Sequence, residues 1–150
     1  MSLQNLHQIG QLKEHPSDAA EVQQLLAAAA RNLADAQVTT ISPETRFDAA
    51  YKAVMQAALA AMMANGYRPD TNRPGHHMTV VQGLALTIGL APARVLVLDT
   101  LRRQRNLSDY TGQDIDDSTA AHCIAEAAHL MKDVTAWLTA HRPQLLLGAK

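Results

Sequence analysis

Three arginines within four residues, Arg102, Arg103 and Arg105, followed by Asn106, Asp109 and Tyr110, are the densest group of chemically capable side chains in this sequence. A guanidinium binds phosphate or carboxylate oxygens in a two-pronged fashion, so the chemistry to expect is anion recognition. On a helix, Leu98, Arg102, Arg105 and Asp109 fall at i, i+4, i+7 and i+11 and share one face, with Leu98 buried and the polar groups near the helix end. Arg103 and Gln104 point elsewhere. A simpler account also fits: arginines in a last turn complement the negative end of the helix dipole, and Asp109 pairs with one of them. Asn106 beside Arg105 favours more than that, because an amide at a helix end orders the following turn and holds a polar partner such as Tyr110.

Other side chains invite chemistry less strongly. His76 and His77 open a helix after Pro74-Gly75, where an imidazole can reach a cleft, although a capping or surface role explains them as well. His122, Glu126 and His129 share a face of the last helix, and Glu126-Ala127-Ala128-His129 has the spacing of carboxylate-bridged di-iron bundles. Such a site needs a second Glu-x-x-His, which this sequence does not contain. A one-metal site using His122, Glu126 and His129, with His76 or His77 as a further ligand, is weighed against a polar outer helix face, and the latter is preferred, so neither metal nor cofactor is expected. Cys123, Tyr51 and Trp137 match apolar stripes and read as core packing. The sequence has no glycine-rich phosphate loop and no alternation of basic and aromatic residues.

These side chains need a scaffold, and composition limits what it is. With 150 residues, 47% apolar and only 3% aromatic, the chain suits one alanine- and leucine-rich helical domain able to bury its own core. A single cysteine excludes an internal disulfide. A formal net charge of −1 excludes bulk electrostatic coating of nucleic acid, so any such contact must be local. No apolar run approaches the roughly 18 residues of a membrane span, and MSLQNLHQIG lacks a basic segment followed by an apolar one. The expectation is a cytoplasmic protein without a membrane partner.

Residues 1–16 are polar and weakly periodic, and are expected as a flexible or loosely docked arm before a single domain over 17–150. Asp18 and Glu21 have the form of a capping box opening a helix with Val22, Leu25, Leu26, Ala29, Leu33 and Ala36 as its stripe. Ser42-Pro43-Glu44 starts the next helix, with Phe47, Ala50, Tyr51, Val54, Ala58, Ala61 and Met62 inward. Asn65-Gly66 stops it, and residues 67–75, with Pro69 and Pro74, form a loop. A third helix from His76 is broken at Gly89 and Ala91-Pro92 and resumes through Leu101; a loop spans Tyr110 to Asp117. The fourth helix reaches about Ala140, with Cys123, Ile124, Ala127, Leu130, Met131, Val134, Trp137 and Leu138 inward. The predicted fold is all-α, an up-and-down four-helix bundle with a broken third helix.

The string Arg103-Gln104-Arg105-Asn106 followed by Asp109-Tyr110, preceded by Gly66-Tyr67-Arg68-Pro69 and Gly75-His76-His77, resembles the HEPN superfamily of helical domains. The resemblance covers about residues 42–140 and is most specific over 65–110. It implies a HEPN-like fold and a homodimer in which two motif helices meet in one cleft. In many members it also implies a metal-independent endoribonuclease, often the toxin of a toxin–antitoxin pair whose partner is an antitoxin or nucleotidyltransferase. An RNA or nucleotide ligand follows from the same resemblance. One departure matters: Tyr110 and Gly112 stand where the family pattern has His and Tyr. A phenol titrates near ~10 rather than the ~6.5 of imidazole, which makes it a poor base at neutral pH. The expected function is therefore a noncatalytic RNA-associated or toxin–antitoxin-type module, with nuclease and purely structural bundle as alternatives. Arg105 is expected to contact phosphate with Arg102, Asn106, Asp109, Tyr110, His76 and His77 around it, and Arg105 and Tyr110 would be catalytic in the nuclease reading.

Overall fold

The computed structural model describes residues 1–147 and is predominantly helical. The last three residues of the expected 17–150 domain lie outside the described residues. The chain runs through α1 (Leu3–Gln8), β1 (Leu12–Glu14), α2 (Ala19–Ala36), α3 (Pro43–Ala64), β2 (Tyr67–Pro69), α4 (His76–Gln82), α5 (Leu84–Thr87), α6 (Pro92–Thr111) and α7 (Asp117–His141), then a short 3₁₀ turn at Pro143–Leu146. No helix of the described residues is long and apolar enough to cross a membrane.

Helix starts follow from local chemistry. Asp18 accepts a hydrogen bond from the Ala20 N–H, Ser42 from Thr45 and Asp116 from Thr119, and Pro43 and Pro92 sit where a missing N–H costs nothing. The capping box expected at Asp18 does not form: Asp18 caps through Ala20 rather than Glu21, and the Glu21 carboxylate pairs with His15 Nε2 at 3.0 Å.

Helix α3 is the centre of the molecule. Its predicted stripe is buried, and so are Ala53, Ala57, Ala60, Met63 and Ala64, so that it is covered around most of its circumference. The alanines explain how: small side chains let α2 and α7 approach α3 closely on two sides. Phe47, Met62, Leu130 and Leu138 supply the bulk between them, with the Cys123 thiol against the Phe47 carbonyl. Burial lifts that thiol to about 12, which leaves it a core residue rather than a nucleophile.

The third helix is broken as the sequence indicated, and it has a second joint. Gly83 separates α4 from α5, and a Cβ there would lie 2.8 Å from the Thr79 carbonyl oxygen and 3.1 Å from Met62 Cε. Only a glycine fits this joint, because a side chain would collide with the last turn of α4. Gly89 (φ +67°) and Pro92 then redirect the chain into α6, which lies against α4 and touches α3.

Two expectations are corrected. Residues 1–16 carry a helix and a strand: β1 pairs antiparallel with β2, Leu12 opposite Pro69 and Glu14 opposite Tyr67, and Leu12 is buried in the main core. The short strands escaped notice because three residues show no readable alternation. The helix carrying the arginines also runs further than expected. It continues through Thr111 to a left-handed Gly112, so Tyr110 is helical and the loop is confined to residues 112–116.

Candidate anion-binding pocket

The arginines of α6 separate into different jobs. Arg102, only 13% exposed, donates from Nε to the Asp99 carboxylate at 2.8 Å, and Arg103 approaches the other oxygen at 3.0 Å. Asp99 is 3% exposed, so two guanidinium groups compensate one buried carboxylate, and Arg102 is committed to that pair. Arg105 is different. Its contact with Asp109 is long, at 3.7 Å, and its guanidinium lies over the Tyr51 ring, 5.0 Å from the centroid.

From that position Arg105 borders a pocket of about 530 Å³ between α3, α4 and the segment after β2. Helix α3 contributes Asp48, Tyr51 and Lys52, then Met55, Gln56 and Leu59. These positions fall at helical repeat, so one face of α3 forms a whole wall. His76 and His77 enter from α4 with their rings in an edge-to-face contact, centroids 4.6 Å apart. The Tyr51 hydroxyl is 3.5 Å from His77 Nδ1.

Titration behaviour follows from this crowding. Burial lifts the Tyr51 phenol to about 12 despite the opposing pull of Arg105, so it keeps its proton at neutral pH. His77 is held below the ordinary imidazole value by burial first, then by His76, Arg105 and Arg102, and is therefore neutral at pH 7. A neutral imidazole carries its proton on one nitrogen or the other and a phenol both donates and accepts, so the Tyr51–His77 contact stands in either tautomer. Asp48 is raised by loss of solvent and by nearby Asp109, with Arg105 pulling the other way.

The structure thus brings Arg105, His76 and His77 together and leaves the other candidates outside. Arg102 is tied to Asp99, Asn106 is half-buried outside the pocket wall, and Asp109 flanks Arg105. Tyr110 is 87% exposed and absent from the pocket. The reason is helical geometry: once α6 continues to Thr111, a residue five positions after Arg105 is turned roughly 140° away from it. The phenol beside Arg105 is Tyr51, which the apolar stripe of α3 had disguised as packing. Asp48 and Lys52 on either side of it were the available signal, since charged residues bordering a buried tyrosine mark a wall facing something polar.

His122, Glu126 and His129 do not gather into a site. His129 lies 3.9 Å from Asp133, and among the described residues no group of three or more His, Cys, Asp or Glu side chains is placed to hold a metal ion. The pocket combines fixed positive charge from Arg105 and Lys52, two imidazoles and an apolar wall, an arrangement suited to an anion carrying an apolar body. Compared with known proteins, the chain matches no family model, and no curated protein is detectably similar to it.

Proposed function

We propose that this chain is a HEPN-like four-helix module that binds RNA or a nucleotide through the Arg105 pocket and works as a homodimer. One observation carries the reading: the arginine of the RNxxDY string, rather than being tied to a buried carboxylate like Arg102, borders a pocket shared with His76 and His77. A guanidinium stacked on an aromatic ring keeps its outer N–H groups available for phosphate. Asp109 limits where it swings, and Lys52 adds charge from the facing helix.

The dimer reading rests on α6. Leu96, Thr100, Arg103, Leu107 and Tyr110 are all exposed and follow one another at intervals of four, three, four and three, the spacing of a helix–helix seam. Leu96 is 61% and Leu107 50% exposed, a costly arrangement for a free helix face. A second copy of α6 covers them, and Tyr110 then serves the interface rather than proton transfer.

The neutral His77 beside Arg105 favours a second reading, metal-independent RNA cleavage. In it Arg105 stabilises charge on the scissile phosphate and His77, in place of Tyr110, accepts the proton of the ribose hydroxyl. Fluorescence anisotropy with single-stranded RNA at two salt concentrations, alongside a cleavage assay in chelator, tests both. Binding is expected to fall at least tenfold in Arg105→Ala while the helical spectrum is unchanged. Equal binding by that variant removes the pocket from the function. Cleavage lost in both Arg105→Ala and His77→Gln establishes the second reading, and intact RNA at every time point rejects it.

A further inference from the structure

Resting on the binding reading of the same pocket, we propose that it accommodates one nucleotide unit, a free mononucleotide or a terminal or extruded nucleotide of a strand, with the phosphate at Arg105 and the base against Met55 and Leu59. Size is the first argument. About 530 Å³ falls in the ordinary range of small-molecule sites, ~300–1,000 Å³, and gives room for a single nucleotide.

Polarity is the second, because the α3 wall is graded. Asp48, Tyr51 and Lys52 stand at one end with Arg105, whereas Met55 and Leu59 stand one to two turns further on. At 1.5 Å per residue, positions 48 to 59 span about 16 Å, so the charged and apolar ends are well separated. An anion with a flat apolar ring matches that gradient in one direction only. Val80 and Pro69 add apolar surface to the pocket.

Two further groups distinguish a nucleotide from any amphipathic phosphate. Gln56 brings an amide to the apolar end, and its Oε1 accepts a 2.8 Å hydrogen bond from Asn32 Nδ2 on α2. That bond fixes the amide and leaves Nε2 as a donor for an acceptor on a base edge. Asp48 places a carboxylate next to the phosphate end, where repulsion makes it useless for an anion but suited to accepting hydrogen bonds from ribose hydroxyls. Cations at Arg105 and Lys52, an acceptor at Asp48, apolar surface at Met55 and Leu59 and a donor at Gln56 match phosphate, sugar, ring face and ring edge.

Calorimetric titration of the full chain with the four nucleoside 5′-monophosphates, inorganic phosphate, phenyl phosphate and a single-stranded RNA tests the proposal. At least one mononucleotide is expected to bind tenfold or more tightly than either phosphate or phenyl phosphate. Arg105→Gln and Leu59→Trp are each expected to weaken it tenfold or more. Gln56→Leu, which removes the ring-edge donor together with the Asn32 contact, is expected to level the preference among the four bases, and it keeps the test decisive if the tryptophan variant loses its helical spectrum. Phenyl phosphate binding as tightly as every mononucleotide overturns recognition of a base. RNA binding that depends on Arg105, with no mononucleotide bound and no effect of Gln56→Leu, overturns the single-unit pocket and leaves the RNA-binding reading standing. Failure of both RNA and mononucleotides to bind overturns both.

Discussion

His77 links the pocket to pH. Its pKa in the folded protein lies below the ordinary 6.5, with burial as the main cause. The unfolded chain therefore holds the proton more readily than the folded one between the lowered value and 6.5, and stability rises with pH across that window. Wild type is expected to lose stability as pH falls below about 6.5 more steeply than His77→Gln, read as the difference between the two in thermal melts at matched pH. Parallel curves would show that His77 titrates as freely folded as unfolded. Asp99 makes a different kind of demand, because its buried carboxylate is held between two guanidinium groups. Asp99→Ala leaves Arg102 largely enclosed without its acceptor and is expected to cost about 2–3 kcal/mol in urea denaturation, since stranding one member of a buried pair outweighs what the pair itself contributes. A change below ~0.5 kcal/mol would place Arg102 in solvent instead.

At the level of elements, the pocket depends on pieces that are individually marginal. Two three-residue strands cannot hold together alone, yet β2 ends at Pro69, which lines the pocket, and β1 fixes β2. Leu12 is the anchor, inserting from β1 into the same core as α2 and α3. Leu12→Ala is expected to cost about 2–4 kcal/mol, and also to weaken ligand binding by loosening the β2 to α4 connection. Equilibrium denaturation together with the binding titration checks both parts, and a loss of stability with unchanged binding would separate strand from pocket. Helix α4 is equally dependent on its neighbours. Seven residues are too few for independent helicity, and packing on α3 and α6 keeps His76 and His77 in place.

For the whole molecule, the distribution of burial is uneven. Helices α2, α3 and α7 enclose one another, whereas α6 has neighbours mainly on the α4 side and presents Leu96, Leu107 and Tyr110 outward. A dimer through that seam is expected to give twice the monomer mass in light scattering, and Leu107→Glu is expected to shift it to monomer with helicity retained, because the substituted side chain contacts solvent in the isolated chain. Wild type running as a monomer at tens of micromolar would end the dimer reading. Arg103 sits in this seam as well as beside Asp99, so the variant and Asp99→Ala should be compared for coupled effects on assembly.

The helical class, the start sites at Asp18, Ser42 and Pro92, the break near Gly89 and the inward stripes of α3 and α7 were legible from the amino-acid sequence alone. Each rests on interactions within a few residues: caps, proline geometry, and a 3.6-residue repeat that assigns a side to every position. The prominence of Arg105 and of His76 and His77 was legible too, because residue type and local order show where chemistry is available. Tertiary packing decided the rest. It tied Arg102 to Asp99 and turned Tyr110 away from Arg105 by carrying α6 two residues further than its sequence signals implied. It also put Tyr51, Asp48 and Lys52 opposite residues more than 20 positions away. Periodicity assigns Tyr51 to a buried stripe, but it carries no information about which neighbour meets the phenol edge, and that meeting between α3, α4 and α6 is what makes a pocket.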